Sequence, residues 1–265
     1  MKNTFIVLTV FLVASTLLAQ KLKQNNDSII VAAIFKGHVG AFVMYDKQKQ
    51  KYFRFNQARC AERFLPASTF KIPNSLIGLE SGIITDENFV IKWDGMRRWN
   101  DEWNKDHTLA SAIKYSVVPY YQELARRVGR ESYKKYLNEI DYGNKTAGEN
   151  IDTFWLDNSL KISADEQVEF LKSLSDYKLP FSRRNVEIIK KIIPEEKYSN
   201  SVLKFKTGTG TKADKTYIGW LVGYVEKGEN VFFYAFNIEA KTFEEVSGLR
   251  DNASRKILKE LKIIE

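Results

Sequence analysis

The stretch Val202–Ile238, VLKFKTGTGTKADKTYIGWLVGYVEKGENVFFYAFNI, reads as three strands separated by polar turns. β-Branched and aromatic residues crowd Val202–Thr207, Tyr217–Val225 and Val231–Ile238, and the turn Lys227–Asn230 carries a glycine between the last two. That spacing predicts antiparallel neighbours. Toward the start of the chain, Ile29–Phe35 is a continuous apolar run, and Gly40–Tyr45 and Tyr52–Phe55 flank the polar turn Asp46–Lys51. These segments are expected to be early antiparallel strands. The middle of the chain changes period. Pro119 opens a helical pattern closed by Gly129, and Ser163 with Glu166 makes a capping box ahead of Val168, Phe170, Leu171 and Leu174. The end, Asn252–Ile264, reads as an amphipathic helix. Strands from both ends with helices between them imply an α/β (α+β) fold: an antiparallel sheet flanked by helices, with a mainly helical region inserted. The sheet region is expected over about 20–64 and 182–265, and the helical region over about 65–181. Without repeats or a Pro/Gly-rich linker, residues 20–265 read as one domain.

Composition narrows the function classes. The 265 residues, 44% hydrophobic and 13% aromatic, can bury a substantial core. Lys2, the apolar run Phe5–Ala19 and the returning charges Lys21 and Lys23 read as a signal peptide over 1–19, too short for the roughly 20 residues a spanning helix needs. The expected location is periplasmic or secreted, without stable membrane association. Cys60 is the single cysteine, so no intramolecular disulfide can form, and it reads as a small buried hydrophobe. His38 and His107 are the only histidines, which makes a metal site improbable. The formal charge is +8, or +7 without residues 1–19. Its lysines and arginines alternate with acids, as over Arg183–Lys197, which suits a solvated face and argues against nucleic acid as a partner. A modest positive field does attract small anionic substrates.

The chemistry is concentrated in Pro66-Ala67-Ser68-Thr69-Phe70-Lys71. A serine and a lysine three apart share a helix face. A serine hydroxyl is a weak nucleophile without a neighbouring base, and with so few histidines Lys71 is the natural base. At a helix start, the Ser68 amide is also placed to meet a developing oxyanion. Alone, Ser-x-x-Lys occurs often by chance and usually marks two solvated helix residues. A second element, Lys206-Thr207-Gly208, ends a predicted strand, where a lysine and a hydroxyl can bind a carboxylate and glycine permits close backbone approach.

Together these elements resemble the penicillin-recognising serine enzymes, and further motifs narrow the resemblance to the class D β-lactamases, the oxacillinases. Ser116-Val117-Val118 looks like the family's Ser-x-Val element, Tyr142-Gly143-Asn144 like its Tyr-Gly-Asn element, and Trp155-Leu156 with Lys161-Ile162-Ser163 like its tryptophan loop. The Ser-Asp-Asn element of class A enzymes is absent. The resemblance implies a penicillin-binding, transpeptidase-like fold and hydrolysis of β-lactam antibiotics through an acyl-enzyme on Ser68. It implies that Lys71 is carboxylated by carbon dioxide to N6-carboxylysine, the general base, with no other cofactor and with Val118 and Trp155 beside it. An apolar pocket of Phe70, Val118, Trp155 and Leu156 would favour the neutral amine that carbon dioxide requires. Ser116 is implied to relay a proton to the leaving nitrogen. The amides of Ser68 and Thr209 are implied to form the oxyanion hole, and Lys206, Thr207 and Arg250 to hold the substrate carboxylate. A β-lactam sensor that acylates without turnover is the competing reading. The expected partners are a small β-lactam and, among proteins, at most a second copy of the chain.

Overall fold

The computed structural model describes residues 25–265, so the signal peptide read over 1–19 lies outside the described residues. Six strands form the main sheet: β1 (Gly40–Asp46), β2 (Lys51–Phe55), β5 (Glu195–Lys197), β6 (Ser201–Thr211), β7 (Tyr217–Lys227) and β8 (Asn230–Ala240). Their spatial order is β2-β1-β8-β7-β6-β5, and every neighbouring pair is antiparallel. The short strands β3 (Val90–Ile91) and β4 (His107–Thr108) pair separately. Both faces of the sheet are covered, which is why β7 reads as a nearly continuous apolar run. Period 2 divides β8: Phe232, Tyr234, Phe236 and Ile238 enter one core, and Phe233 and Ala235 enter the other.

One face is covered by α1, seen over 25–35, and α9 (Phe243–Glu260). The opposite face carries the helical region: α2 (Gln57–Ala61), α3 (Lys71–Glu80), α4 (Leu109–Lys114), α5 (Val118–Val128), α6 (Arg130–Glu139), α7 (Ala164–Ser175) and α8 (Arg183–Ile192). Pro119 stands in the first turn of α5 and Gly129 closes it, as expected. Both bonds of the Ser163–Glu166 capping box are made at α7.

Three expectations need correction. Ile29–Phe35 is helical and not a strand: Val31 and Phe35, one helical turn apart, are buried, whereas Ile29 is 69% exposed. β1 already has β2 and β8 on its two sides, so the run has no place beside it and packs on the face. The C-terminal helix starts at Phe243 instead of Asn252, because the Thr242 side chain accepts from the Glu245 amide and Glu244 and Glu245 favour the positive helix end. The helical region also extends through α8 to Ile192, past the boundary read near 181. Among the described residues, no helix is long and apolar enough to cross a membrane.

Candidate active site

Ser68 lies in the 3-10 turn Ala67–Phe70 that runs straight into α3. Ala67 adopts a left-handed conformation, φ 47°, uncommon for a residue with a Cβ, and its amide donates to the Trp155 carbonyl at 3.1 Å. The turn leaves Ser68 half-buried while its neighbours Ala67, Thr69 and Phe70 are buried. Lys71 heads α3 with its Nζ 2.9 Å from Ser68 Oγ and only 1% of its surface exposed. Burial, followed by the positive charge of Lys206, holds the Lys71 ammonium well below the ordinary lysine range. Aromatic rings surround this position. Phe70 stacks on Trp155 at 5.8 Å and meets Phe154 and Tyr142 edge-on, and the Tyr121 ring centre is 5.1 Å from Lys71 Nζ. Trp155 is fully buried, yet its indole Nε1 has no hydrogen-bond partner. Such an orphan donor is uncommon in a folded interior.

The facing wall comes from β6. Lys206 Nζ is buried 3.1 Å from Ser116 Oγ, 3.0 Å from the Thr207 carbonyl and 3.5 Å from Thr207 Oγ1. Ser116, between α4 and α5, is also left-handed, with φ 55°. Burial first, and then the charge of Arg250, push Lys206 down to about 7, against the opposing pull of Asp251. Gly208 allows this wall to approach the serine turn: a Cβ there would lie 2.9 Å from the Pro66 carbonyl oxygen and 3.1 Å from Thr69 Cγ2. Next along β6, Thr209 Oγ1 accepts from Arg250 at 2.8 Å, and the rest of that guanidinium grips Asp251 with two contacts of 2.9 Å. Arg250 therefore sits two turns inside α9, reaching the cleft. Two serine–lysine pairs thus face each other, close enough that the Lys206 charge bears on Lys71.

Residues 32–261 match the family described as penicillin binding protein transpeptidase domain. The chain is 43% identical to β-lactamase OXA-48 of Klebsiella pneumoniae over 258 residues, 96% of this chain and 97% of that protein. The chain belongs to the class D β-lactamases. Its fold agrees with the crystal structure of FUS-1 (OXA-85), a class D β-lactamase from Fusobacterium nucleatum subsp. polymorphum: the TM-score is 0.85 at 42% identity, covering 89% of this chain and 98% of that one. It is also 40% identical to the regulatory protein BlaR1 of Bacillus licheniformis over 202 residues, 76% of this chain and 33% of that longer protein.

In this class D β-lactamase, the structure brings Ser68, Lys71, Ser116, Lys206, Thr207, Gly208, Thr209 and Arg250 together along one cleft. Trp155 backs the serine turn, and Val118 is the half-buried first residue of α5. Tyr142-Gly143-Asn144 acts as a staple for the tryptophan loop. The Asn144 side chain bonds to the Ser159 carbonyl and the Lys161 amide, and a Cβ on Gly143 would collide with the Lys161 carbonyl at 2.0 Å. The sequence reading missed Tyr121, whose burial with Val117, Leu124 and Val128 follows the helical period. It also missed Gln167, which donates to Thr69 Oγ1 at 2.9 Å and so steadies the serine turn from α7. A cavity of about 200 Å³ lies behind the Ser116 turn, lined by Val90, Trp103, Val117 and Tyr120, and takes no side chain from the two serine–lysine pairs.

Proposed function

We propose that this chain hydrolyses β-lactam antibiotics through an acyl-enzyme on Ser68, with Lys71 carboxylated by carbon dioxide as the general base, and thereby confers resistance. The observation that carries this reading is the desolvated Lys71 held 2.9 Å from Ser68 Oγ, with the unpartnered indole nitrogen of Trp155 beside the same turn. Carbon dioxide adds to neutral amines, and burial favours the neutral form. The adduct would supply a carboxylate base in place of an amine, with Trp155 Nε1 as a donor to hold it. Ser68 Oγ gives up its proton on the Lys71 side as it bonds to the lactam carbonyl carbon. As the ring C–N bond breaks, the nitrogen takes a proton from Ser116, which Lys206 can resupply across 3.1 Å. The amides of Ser68 and Thr209 stabilise the oxyanion, and Lys206, Thr207 and Arg250 hold the substrate carboxylate. Water then cleaves the Ser68 ester and frees the enzyme. A periplasmic or secreted location goes with this reading.

The likeness to BlaR1 supports a second reading, a β-lactam sensor that acylates and stops. Turnover of a chromogenic cephalosporin by the purified protein separates the two. Continuous hydrolysis is expected, whereas a burst equal to the enzyme concentration would establish the sensor. At one fixed, mildly acidic pH, removing dissolved carbon dioxide is expected to lower the rate and bicarbonate to restore it. Indifference to bicarbonate would reject the carboxylated lysine while leaving Ser68 as nucleophile.

A further inference from the structure

Arg250 and Asp251 are adjacent on α9, where successive side chains ordinarily diverge, yet their charged groups meet. Arg250 Nε lies 2.9 Å from Asp251 Oδ1 and Nη2 lies 2.9 Å from Oδ2, so the carboxylate covers the side edge of the guanidinium. The third nitrogen, Nη1, donates to Thr209 Oγ1 at 2.8 Å. Thr209 pairs with Gly219 on β7, and a Cβ on Gly219 would stand 3.2 Å from Arg250 Cβ, so the bare backbone lets α9 lie close against this wall. Asp251 is held from its other side. Arg255, one turn on, places Nη1 3.6 Å from Asp251 Oδ1 and 3.1 Å from the Asp251 carbonyl oxygen, and it grips Glu196 of β5 with bonds of 3.0 and 2.6 Å. Glu196 also accepts from the Tyr198 hydroxyl at 2.9 Å. Charges therefore alternate from the sheet edge to the cleft, in the order Glu196, Arg255, Asp251, Arg250.

We propose that Asp251 is a positioning residue for the substrate carboxylate: it occupies the side edge of Arg250, leaves the end edge beside Thr209 for an anion, and balances the charge that Arg250 brings to Lys206. The proposal rests on the reading of the cleft as a β-lactam site, because that reading places the carboxylate at Arg250. A guanidinium meets a carboxylate through its side edge or its end, and with the side taken only the end remains. Holding it there spares the rotamer entropy that a free arginine loses on binding. The negative charge of Asp251 itself repels the substrate little, because Arg255 offsets it. Lys206 is faced by Lys71 from α3, Ser116 from the turn before α5, Thr207 beside it, and Arg250 with Asp251 from α9. Burial lowers its ammonium most, Arg250 lowers it further, and Asp251 opposes both. Removing Asp251 therefore lowers the pH at which Lys206 gives up its proton. Asp251 acts through these two cations and touches no reacting atom.

The test compares the wild-type enzyme with Asp251→Ala, Asp251→Asn, Arg250→Ala and the double alanine variant, using a chromogenic cephalosporin with bicarbonate present throughout. At mildly acidic pH, Asp251→Ala is expected to raise KM about three- to tenfold and to leave kcat within about twofold. Asparagine keeps one acceptor for Arg250 Nε, so Asp251→Asn should raise KM only about two- to threefold. Both variants remove the charge, and both should move the alkaline fall of kcat/KM to lower pH by the same amount. In the Arg250→Ala background, Asp251→Ala should no longer raise KM. A KM unmoved by Asp251→Ala, a rise that persists without Arg250, or an alkaline limb that stays in place would overturn the role. A merely structural residue would lower the unfolding midpoint and leave that limb where it is. If the wild-type protein does not turn over the cephalosporin, the β-lactam reading itself fails, and the role of Asp251 with it.

Discussion

On the α9 side of the sheet, Leu221, Val225, Phe236 and Ile257 pack as an ordinary apolar core, whereas on the other side the same strands carry a buried lysine against a turn with left-handed residues. β6 makes the contrast within a single strand: Leu203 is buried in the outer core, and Lys206 is buried in the cleft. Left-handed conformations at Ala67 and Ser116 each cost on the order of 1–3 kcal/mol, and desolvating Lys71 and Lys206 costs more. The cleft is therefore held in place by packing around it. Among the described residues the outer core buries no lysine, and the comparison teaches that stability and reactivity are drawn mainly from opposite faces of one sheet.

The strongest way to break this division is Ser68→Ala. Hydrolysis is expected to fall by at least about a thousandfold, covalent labelling by penicillin should vanish from the mass spectrum, and the unfolding midpoint should barely move. Labelling at another residue would remove Ser68 from its role. On the outer face, Ile257→Ala should do the reverse. A cavity at this fully buried position is expected to cost about 2–5 kcal/mol in urea unfolding while kcat per folded molecule stays constant. A parallel loss of kcat would show that the faces are not separable.

Trp155→Phe sharpens the comparison inside the cleft, because it keeps the ring stacked near Phe70 and removes the indole donor. Deacylation should slow about ten- to a hundredfold more than acylation in burst kinetics, and equal slowing would reject a role in activating water. The smallest effect has the opposite sign. Lys71→Met should abolish hydrolysis yet raise stability by about 1–2 kcal/mol near neutral pH. Burial holds the folded-state pKa of Lys71 well below the ordinary lysine value of 10.5, so the unfolded chain binds the proton more readily between the two. Wild-type stability therefore gains from this lysine's deprotonation as pH rises toward 10.5, and the advantage of methionine should shrink there. A methionine variant no more stable than wild type at any pH would mean that the lysine carries no stability cost.

Much of this was legible in the sequence wherever the signal is local. The late strands announce themselves through apolar runs bounded by turn residues, and Ser68, Lys71 and Lys206-Thr207-Gly208 through short spacings. Ile29–Phe35 misleads because seven consecutive apolar residues carry no period, and only the outer core decides which of them are buried. Tyr121, Gln167 and Asp251 reach the site from helices distant in sequence, so nothing beside Ser68 in the chain announces them. Tyr142-Gly143-Asn144 was visible as a motif, but its work as a staple on Ser159 and Lys161 appears only in three dimensions.

The pairing of β1 with β8 sets the order in which the molecule can be made. The β1–β2 hairpin is complete once Phe55 has been synthesised, but the strand on its other side is finished only at Ala240, and Gly40 pairs with Ile238, nearly 200 residues away. Closing so long a loop must come before the reward of the contacts it brings, which slows folding. Until β8 arrives, Phe42 and Val43 sit on an open strand edge, the kind of edge that recruits other chains. The newly made protein thus passes through an interval in which it is most exposed to aggregation, and its last strands bring that interval to an end.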